Sequence, residues 1–420
     1  MNYLDTLHHP EKYYKVFFKW ALLGLLMGIV GGLAATVFGH VLSFVTTVRE
    51  NNTWLIFLLP VGGAATVALY RFLKLTKNHG TNEVIDAVLN DKPLNGTIAP
   101  GIFLATAITH LLGGSAGREG AALQLGGSIA SMLGKRFRLK ERERTVLVMS
   151  GMSAVFAGLF GTPLTATFFT MEFASVGTIF SPALLPCYLS AFTASRISAA
   201  LGIRPEVYPL TEALPFTFSV NWQVLVLAIC VSILGIIMCR TFHKAEHLAA
   251  KYIPNRLVRI MAGGIVLAAL TLMVGDHRYN GAGMHMALHA VGGHADWYDF
   301  LLKLLFTAIT LAAGFKGGEI VPTFCIGATF GWLLGSLLGL DPGMAAALGL
   351  VGLFCCATNS PLASIILSIE MFGSANLYLF TFVCVIVFVL SGNWGLYSSQ
   401  VIRYSKSRLV KKDHFSDHEE

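Results

Sequence analysis

The stretch Gly113-Gly114-Ser115-Ala116-Gly117-Arg118-Glu119-Gly120-Ala121-Ala122-Leu123-Gln124-Leu125-Gly126-Gly127 sets one arginine and one glutamate in an apolar, glycine-rich setting. A charged pair there is costly unless it is paired, faces water or serves a site. The glycines before Arg118 permit close backbone approach and a helix start away from the membrane surface. Such a start leaves the first N–H groups without intrahelical partners and exposes the positive end of the dipole. Helix N-termini of this kind bind anions, and transporters use them in broken helices. The stretch predicts an anion site inside a membrane with a glutamate in it. A plain Arg118–Glu119 pair in an interfacial loop is the competing reading.

The elements that must carry this stretch are helices in a bilayer. Of the 420 residues, 55% are hydrophobic and 13% charged, against about 25% charged in a soluble domain. Mean hydropathy is +0.66. Apolar runs at 16–45, 54–75, 93–112, 145–173, 182–201, 221–238, 260–274, 300–313, 320–340, 344–354, 361–372 and 378–391 are too continuous for barrel strands. This predicts an all-α polytopic membrane protein in the cell membrane. Residues 1–15 read as a cytoplasmic lead, 16–403 as the transmembrane domain and 404–420 as a cytoplasmic tail. The first run continues past signal-peptide length. The polar stretches 74–92 and 276–299 read as loops. The net charge of +7 is gathered in short basic segments, which set topology rather than bind nucleic acid. The seven cysteines lack C-x-x-C spacing and read as small core residues. His285 and His289 share a helical spacing, but no glutamate completes an H-E-x-x-H pattern, so no metal site is expected.

The chain repeats itself at an offset of about 200 residues. Thr106-Ala107-Ile108-Thr109 returns as Thr307-Ala308-Ile309-Thr310, and Gly117-Arg118-Glu119 aligns with Gly317-Gly318-Glu319. Gly80 matches Gly281-Ala282-Gly283. Gly151, Thr162-Pro163-Leu164 and Glu172 match Gly352, Ser360-Pro361-Leu362 and Glu370. Repeats over about 16–201 and 221–403 predict a pseudo-symmetric fold with its site where broken helices of the halves meet. Glu172 and Glu370 occupy equivalent places and are expected to satisfy neighbouring helix ends.

At these residues the chain resembles the CLC family of anion channels and transporters. Gly117-Arg118-Glu119-Gly120 is similar to the family motif G-[KR]-E-G-P, with Ala121 in place of the proline. Gly317-Gly318-Glu319-Ile320-Val321-Pro322 resembles G-x-F-x-P, and Leu396-Tyr397-Ser398 resembles the late tyrosine motif. Gly80-Thr81-Asn82-Glu83-Val84 stands where the family has G-S-G-I-P. The resemblance spans roughly 16–403. It implies a homodimer with one anion pathway per subunit and Glu119 as a gating glutamate that competes with the permeating anion. It implies further that Tyr397 contributes its hydroxyl, and that backbone N–H groups around Gly80, Thr81, Asn82, Gly117, Arg118, Gly120, Ile320 and Val321 line the pathway.

Two departures resemble the family's fluoride/proton antiporter branch. Chloride/proton exchangers carry a glutamate directly after the one matching Glu172, and here that place is Phe173. Glu319 sits where chloride-type members have an apolar residue, as a second coupling glutamate or as a partner of Lys316. The resemblance thus implies a secondary transporter that exports fluoride against protons across the bilayer. A chloride/proton exchanger and a passive chloride channel of the same fold are the alternatives. No cofactor is expected, and no enzyme motif of the H-E-x-x-H, G-x-S-x-G or phosphate-binding lysine type is present.

Overall fold

The computed structural model describes residues 10–76, 79–210, 214–215, 217–404, 406 and 411–415. Among the described residues, sixteen α-helices fall into two successive sets of eight. The first set is α1 (Pro10–Asn51), α2 (Leu59–Phe72), α3 (Thr81–Leu89), α4 (Ile98–Leu111), α5 (Glu119–Arg136), α6 (Glu141–Phe160), α7 (Pro163–Glu172) and α8 (Leu184–Ala200). The second is α9 (Phe218–Tyr252), α10 (Arg256–Val274), α11 (Met284–Val291), α12 (Asp299–Ala313), α13 (Ile320–Leu338), α14 (Pro342–Thr358), α15 (Pro361–Phe372) and α16 (Leu377–Leu390). Each set opens with a helix of 35 residues or more and runs through a short third helix. Six helices among the described residues are long and apolar enough to cross a membrane.

The breaks follow local chemistry. The run 145–173 is two helices because Gly161 closes α6 in the left-handed region at φ 74° and Pro163 opens α7. The second set repeats this with Asn359 at φ 56° and Pro361. The new N-termini are capped across the repeat boundary. Glu370 Oε1 and Oε2 accept from the backbone N of Leu164 and Thr165, both at 2.8 Å. Glu172 accepts from Leu362 N at 3.2 Å and Ala363 N at 2.9 Å. Each repeat thus supplies the carboxylate for a helix end in the other.

The stretches 74–92 and 276–299 are not simply loops, since each contains a short helix, α3 and α11. These have only eight or nine residues and sit among polar neighbours, so they make no long apolar run. Helix α1 begins at Pro10, inside the stretch read as the lead, and residues 1–9 lie outside the described residues. Beyond α16 the chain forms a small sheet. Ser175–Val176 (β1) pairs parallel with Val401–Tyr404 (β2), which pairs antiparallel with Lys411–Phe415 (β3). The remainder of 404–420 lies outside the described residues.

One core cluster runs through both repeats. The tightest helix pairs are α5 with α6 and α13 with α14. A side chain at Gly126 would strike the Gly151 carbonyl, and one at Gly327 would strike the Gly349 carbonyl. With no water between helices in a bilayer, such small-residue contacts supply the packing.

Candidate functional site

The loops before α5 and α13 meet head to head. Gly117 N donates to Gly318 O at 2.6 Å, and Gly318 N donates to Gly117 O at 2.8 Å. This pairing joins the repeats at their centre and corrects the sequence alignment by one residue. The helix starts set Gly117-Arg118-Glu119 against Gly318-Glu319-Ile320, so Glu319 occupies the place of Arg118 and Ile320 that of Glu119. The reason is that α13 begins one residue later than the glycine pattern suggests.

Glu119 is fully buried. Its Oε1 accepts from Arg118 N at 3.1 Å, at the head of its own helix, and its Oε2 accepts from Val321 N at 3.2 Å, at the head of α13. The carboxylate therefore lies between two helix N-termini, where orphan N–H groups and both dipoles favour negative charge. Only glycine fits beside it: a Cβ at Gly117 or at Gly318 would run into Glu119 Oε2. Gly120 lies against Thr81, whose hydroxyl would meet any Cβ placed there at 2.7 Å. Ile320 and Val321 are buried around this point.

Arg118 contributes its backbone here and spends its side chain elsewhere. The guanidinium Nη2 is 2.7 Å from Glu206 Oε1, and the group stands over the Phe160 ring at 5.0 Å. Glu206 belongs to the connection between the repeats, and its own backbone N donates to Phe160 O. The adjacent Arg118–Glu119 pairing is therefore not the structure's solution for the arginine.

On the Thr81 side of Gly120 a cavity of about 770 Å³ opens, lined by Gly80, Thr81, Asn82, Gln124, Glu319 and Tyr397 among others. Gly80 heads α3 with φ 68°. Asn82 Oδ1 accepts from Ser399 N at 3.1 Å and so fastens the segment after Tyr397. Tyr397 is buried, and its ring meets Phe173 edge-on at 6.0 Å. Glu319 Oε2 has no hydrogen-bond partner among the described residues. Lys316 stands over the Tyr70 ring at 5.0 Å. Arg71, His243, Glu246, His247, Arg256 and Arg259 also line this cavity. His285 and His289 are exposed on α11, and the described residues hold no cluster of three metal-ligating side chains.

Three supporting residues escape a hydropathy reading. Lys303 is wholly buried inside the apolar run 300–313. Its Nζ donates to Ser115 Oγ, Tyr279 O and Gly281 O at 3.0, 3.1 and 2.7 Å, fastening the loop before Glu119 to the other repeat. His110 Nε2 lies 3.3 Å from Gly117 O. Gln400, also wholly buried, donates to Phe173 O and Thr358 O at 2.6 and 2.9 Å and holds the end of the Tyr397 segment. The lone lysine in an apolar run was a signal available in the sequence; the roles of His110 and Gln400 were not, because their partners are distant backbone carbonyls.

Comparison with known proteins fits this geometry. The family model for the voltage gated chloride channel matches residues 61–391. The chain is 34% identical to a chloride/fluoride channel protein of Pseudomonas syringae pv. tomato, over 92% of this chain and 87% of that one. It is 26% identical to the H(+)/Cl(-) exchange transporter ClcA of Vibrio vulnificus, over 89% of this chain and 85% of the other. The crystal structure of a CLC-type fluoride/proton antiporter superposes with a TM-score of 0.88 at 35% identity, covering 91% of this chain and 98% of that chain. With its paired helix starts, broken helices and apolar spans, the chain belongs to the voltage-gated chloride channel (CLC) family of multi-pass membrane proteins.

Proposed function

We propose that this protein exports fluoride in exchange for protons, with Glu119 as both gate and proton carrier. The observation that carries the reading is the Glu119 carboxylate resting on the N–H groups of Arg118 and Val321. Those donors would serve a permeating anion equally well. A carboxylate and an anion cannot hold them together, and protonation removes the carboxylate's claim. Anion movement one way is then tied to proton movement the other way.

Fluoride is small and tightly hydrated, so it requires short, strong donors to replace its water. Backbone N–H groups at two helix heads, with the Thr81 and Tyr397 hydroxyls nearby in the cavity, are of that kind. Phe173 supports the same choice, because the place after Glu172 holds an aromatic ring packed on Tyr397 instead of a carboxyl. Glu319, facing the cavity from the second repeat, is the second coupling carboxyl. The names of the relatives agree, one being a chloride/fluoride channel protein and one a fluoride/proton antiporter.

Every residue assigned to the site comes from one chain, so a homodimer would carry one complete pathway per subunit. The proposal involves no enzymatic step and no cofactor. The test is efflux from proteoliposomes loaded with fluoride or with chloride, with external pH recorded. Fluoride leaving much faster than chloride, with proton uptake, is the expected result. Equal rates would favour the chloride/proton exchanger, and anion loss without proton movement would favour a channel.

A further inference from the structure

We propose that Gln124 is the hydrogen-bond acceptor that holds the transported proton while a carboxyl group carries it through the cavity on the Thr81 side of Gly120. The inference rests on the proton-coupled reading above and assigns a positioning residue to it. Gln124 lies on α5, five residues after Glu119, and is 1% exposed. Its Nε2 donates to Gly120 O at 3.0 Å. Its Oε1 has no partner among the described residues, and the side chain lines the cavity together with Thr81, Glu319 and Tyr397.

The amide cannot usefully turn over. Reversal would set Oε1 against the Gly120 carbonyl oxygen, two acceptors facing each other with no hydrogen between them. The Gly120 contact therefore keeps the oxygen toward the cavity. A carbonyl oxygen repels an anion, so Gln124 is wrongly set to bind fluoride. It is rightly set for an O–H donor. Buried acceptors left without a donor are rare enough to require a reason. Here the same cavity holds a second one, Glu319 Oε2. A protonated carboxyl supplies the missing hydrogen, since it is the one form of Asp or Glu that donates. The proton stays on the carboxyl oxygen throughout, and no bond to it is exchanged at the amide.

Two carboxyls can present this donor. One is Glu319, which lines the same cavity. The other is Glu119 after protonation has released it from Arg118 N and Val321 N. The other charged or titratable groups facing the cavity are Lys316 before α13, His243, Glu246 and His247 on α9, and Arg256 and Arg259 on α10. Tyr70 and Arg71 on α2, His79 and Asp86 beside and on α3, and Tyr397 complete the set. These remain in every variant below, so a change on altering Gln124 belongs to Gln124.

A hydrogen bond given by the neutral carboxyl holds its proton on. In Gln124→Met the pH at which fluoride-driven proton uptake is half-maximal should fall by about half a unit to one unit. The fluoride-to-proton ratio should be kept. Gln124→Asn, which retains an acceptor, should fall between Met and wild type. A profile that superposes on wild type while only the maximal rate drops would overturn the proposal, since a structural residue or a bound water gives that result. Infrared spectra of the purified protein provide a second measurement that needs no transport. The protonated-carboxyl C=O band should move in Gln124→Met, and an unmoved band would overturn the proposal. Whichever of Glu119→Gln and Glu319→Gln removes the Gln124-sensitive band names the donor. If wild-type vesicles show no fluoride-driven proton uptake, the transport reading fails by itself, and the infrared result still decides the role of Gln124.

Discussion

Glu119 sits in a space that only glycine neighbours leave open, and its two oxygens each take one backbone N–H from opposite repeats. Gly117→Ala adds a methyl group where Oε2 lies, so the carboxylate must leave its donors. That variant is expected to bind fluoride without the pH dependence of wild type, which titration calorimetry at two pH values reads directly. Retained wild-type pH dependence would place the resting carboxylate elsewhere. Arg118 was legible in the sequence as a residue needing a partner, yet the partner was not. Glu206 lies 88 residues away in a connection whose path follows from how the repeats pack. Its removal is expected to be mild: Glu206→Gln leaves Arg118 on the Phe160 ring and should lower the melting temperature in detergent while sparing the fluoride-to-proton ratio.

At the level of elements, the exchanged carboxylates are the clearest device. Glu370→Ala strands the N–H groups of Leu164 and Thr165 and the Thr165 hydroxyl that now donate to it. The expected cost is about 1–3 kcal/mol of stability, seen as a lower thermal midpoint, with the pH profile of transport unchanged. A changed profile with an unchanged midpoint would give Glu370 a transport role instead. The equivalence of Glu172 and Glu370 was legible because Pro-to-Glu spacing is the same in both halves. The short helices α3 and α11 were not legible, since eight or nine residues set among polar neighbours make no long apolar run. The one-residue offset between Glu119 and Glu319 was hidden too. Each stands two residues after a glycine, Gly117 or Gly317, and only the Gly117–Gly318 pairing shows that Glu319 matches Arg118.

For the whole molecule, the basic segments and the site share one logic. Lys19 on α1 lies 2.5 Å from Glu143 at the start of α6, and Arg256 at the start of α10 donates to Thr76 O. Arg256 also stands on the wall of the cavity, and basic ends of this kind are what the charge rule reads for topology. Arg71, Arg256, Arg259 and Lys316 outnumber Asp86, Glu246 and Glu319 on its walls, so anions are drawn in. Arg256→Gln should slow fluoride export at low ionic strength and have little effect at high salt, where the charge is screened. An equal loss at both would point to a structural role. The repeat, its broken helices and the buried Glu119 at a helix start could be read from glycines, prolines and one charged pair. The cavity could not, because its lining is gathered from six stretches spread between residues 66 and 399. The central claim is that anion and carboxylate compete for the same two N–H groups. Calorimetric fluoride binding in buffers of different ionisation enthalpy tests it most directly, because the buffer dependence counts protons. Wild type should take up about one proton per fluoride bound near neutral pH, and Glu119→Gln should take up none. The same proton count in both proteins would contradict the account.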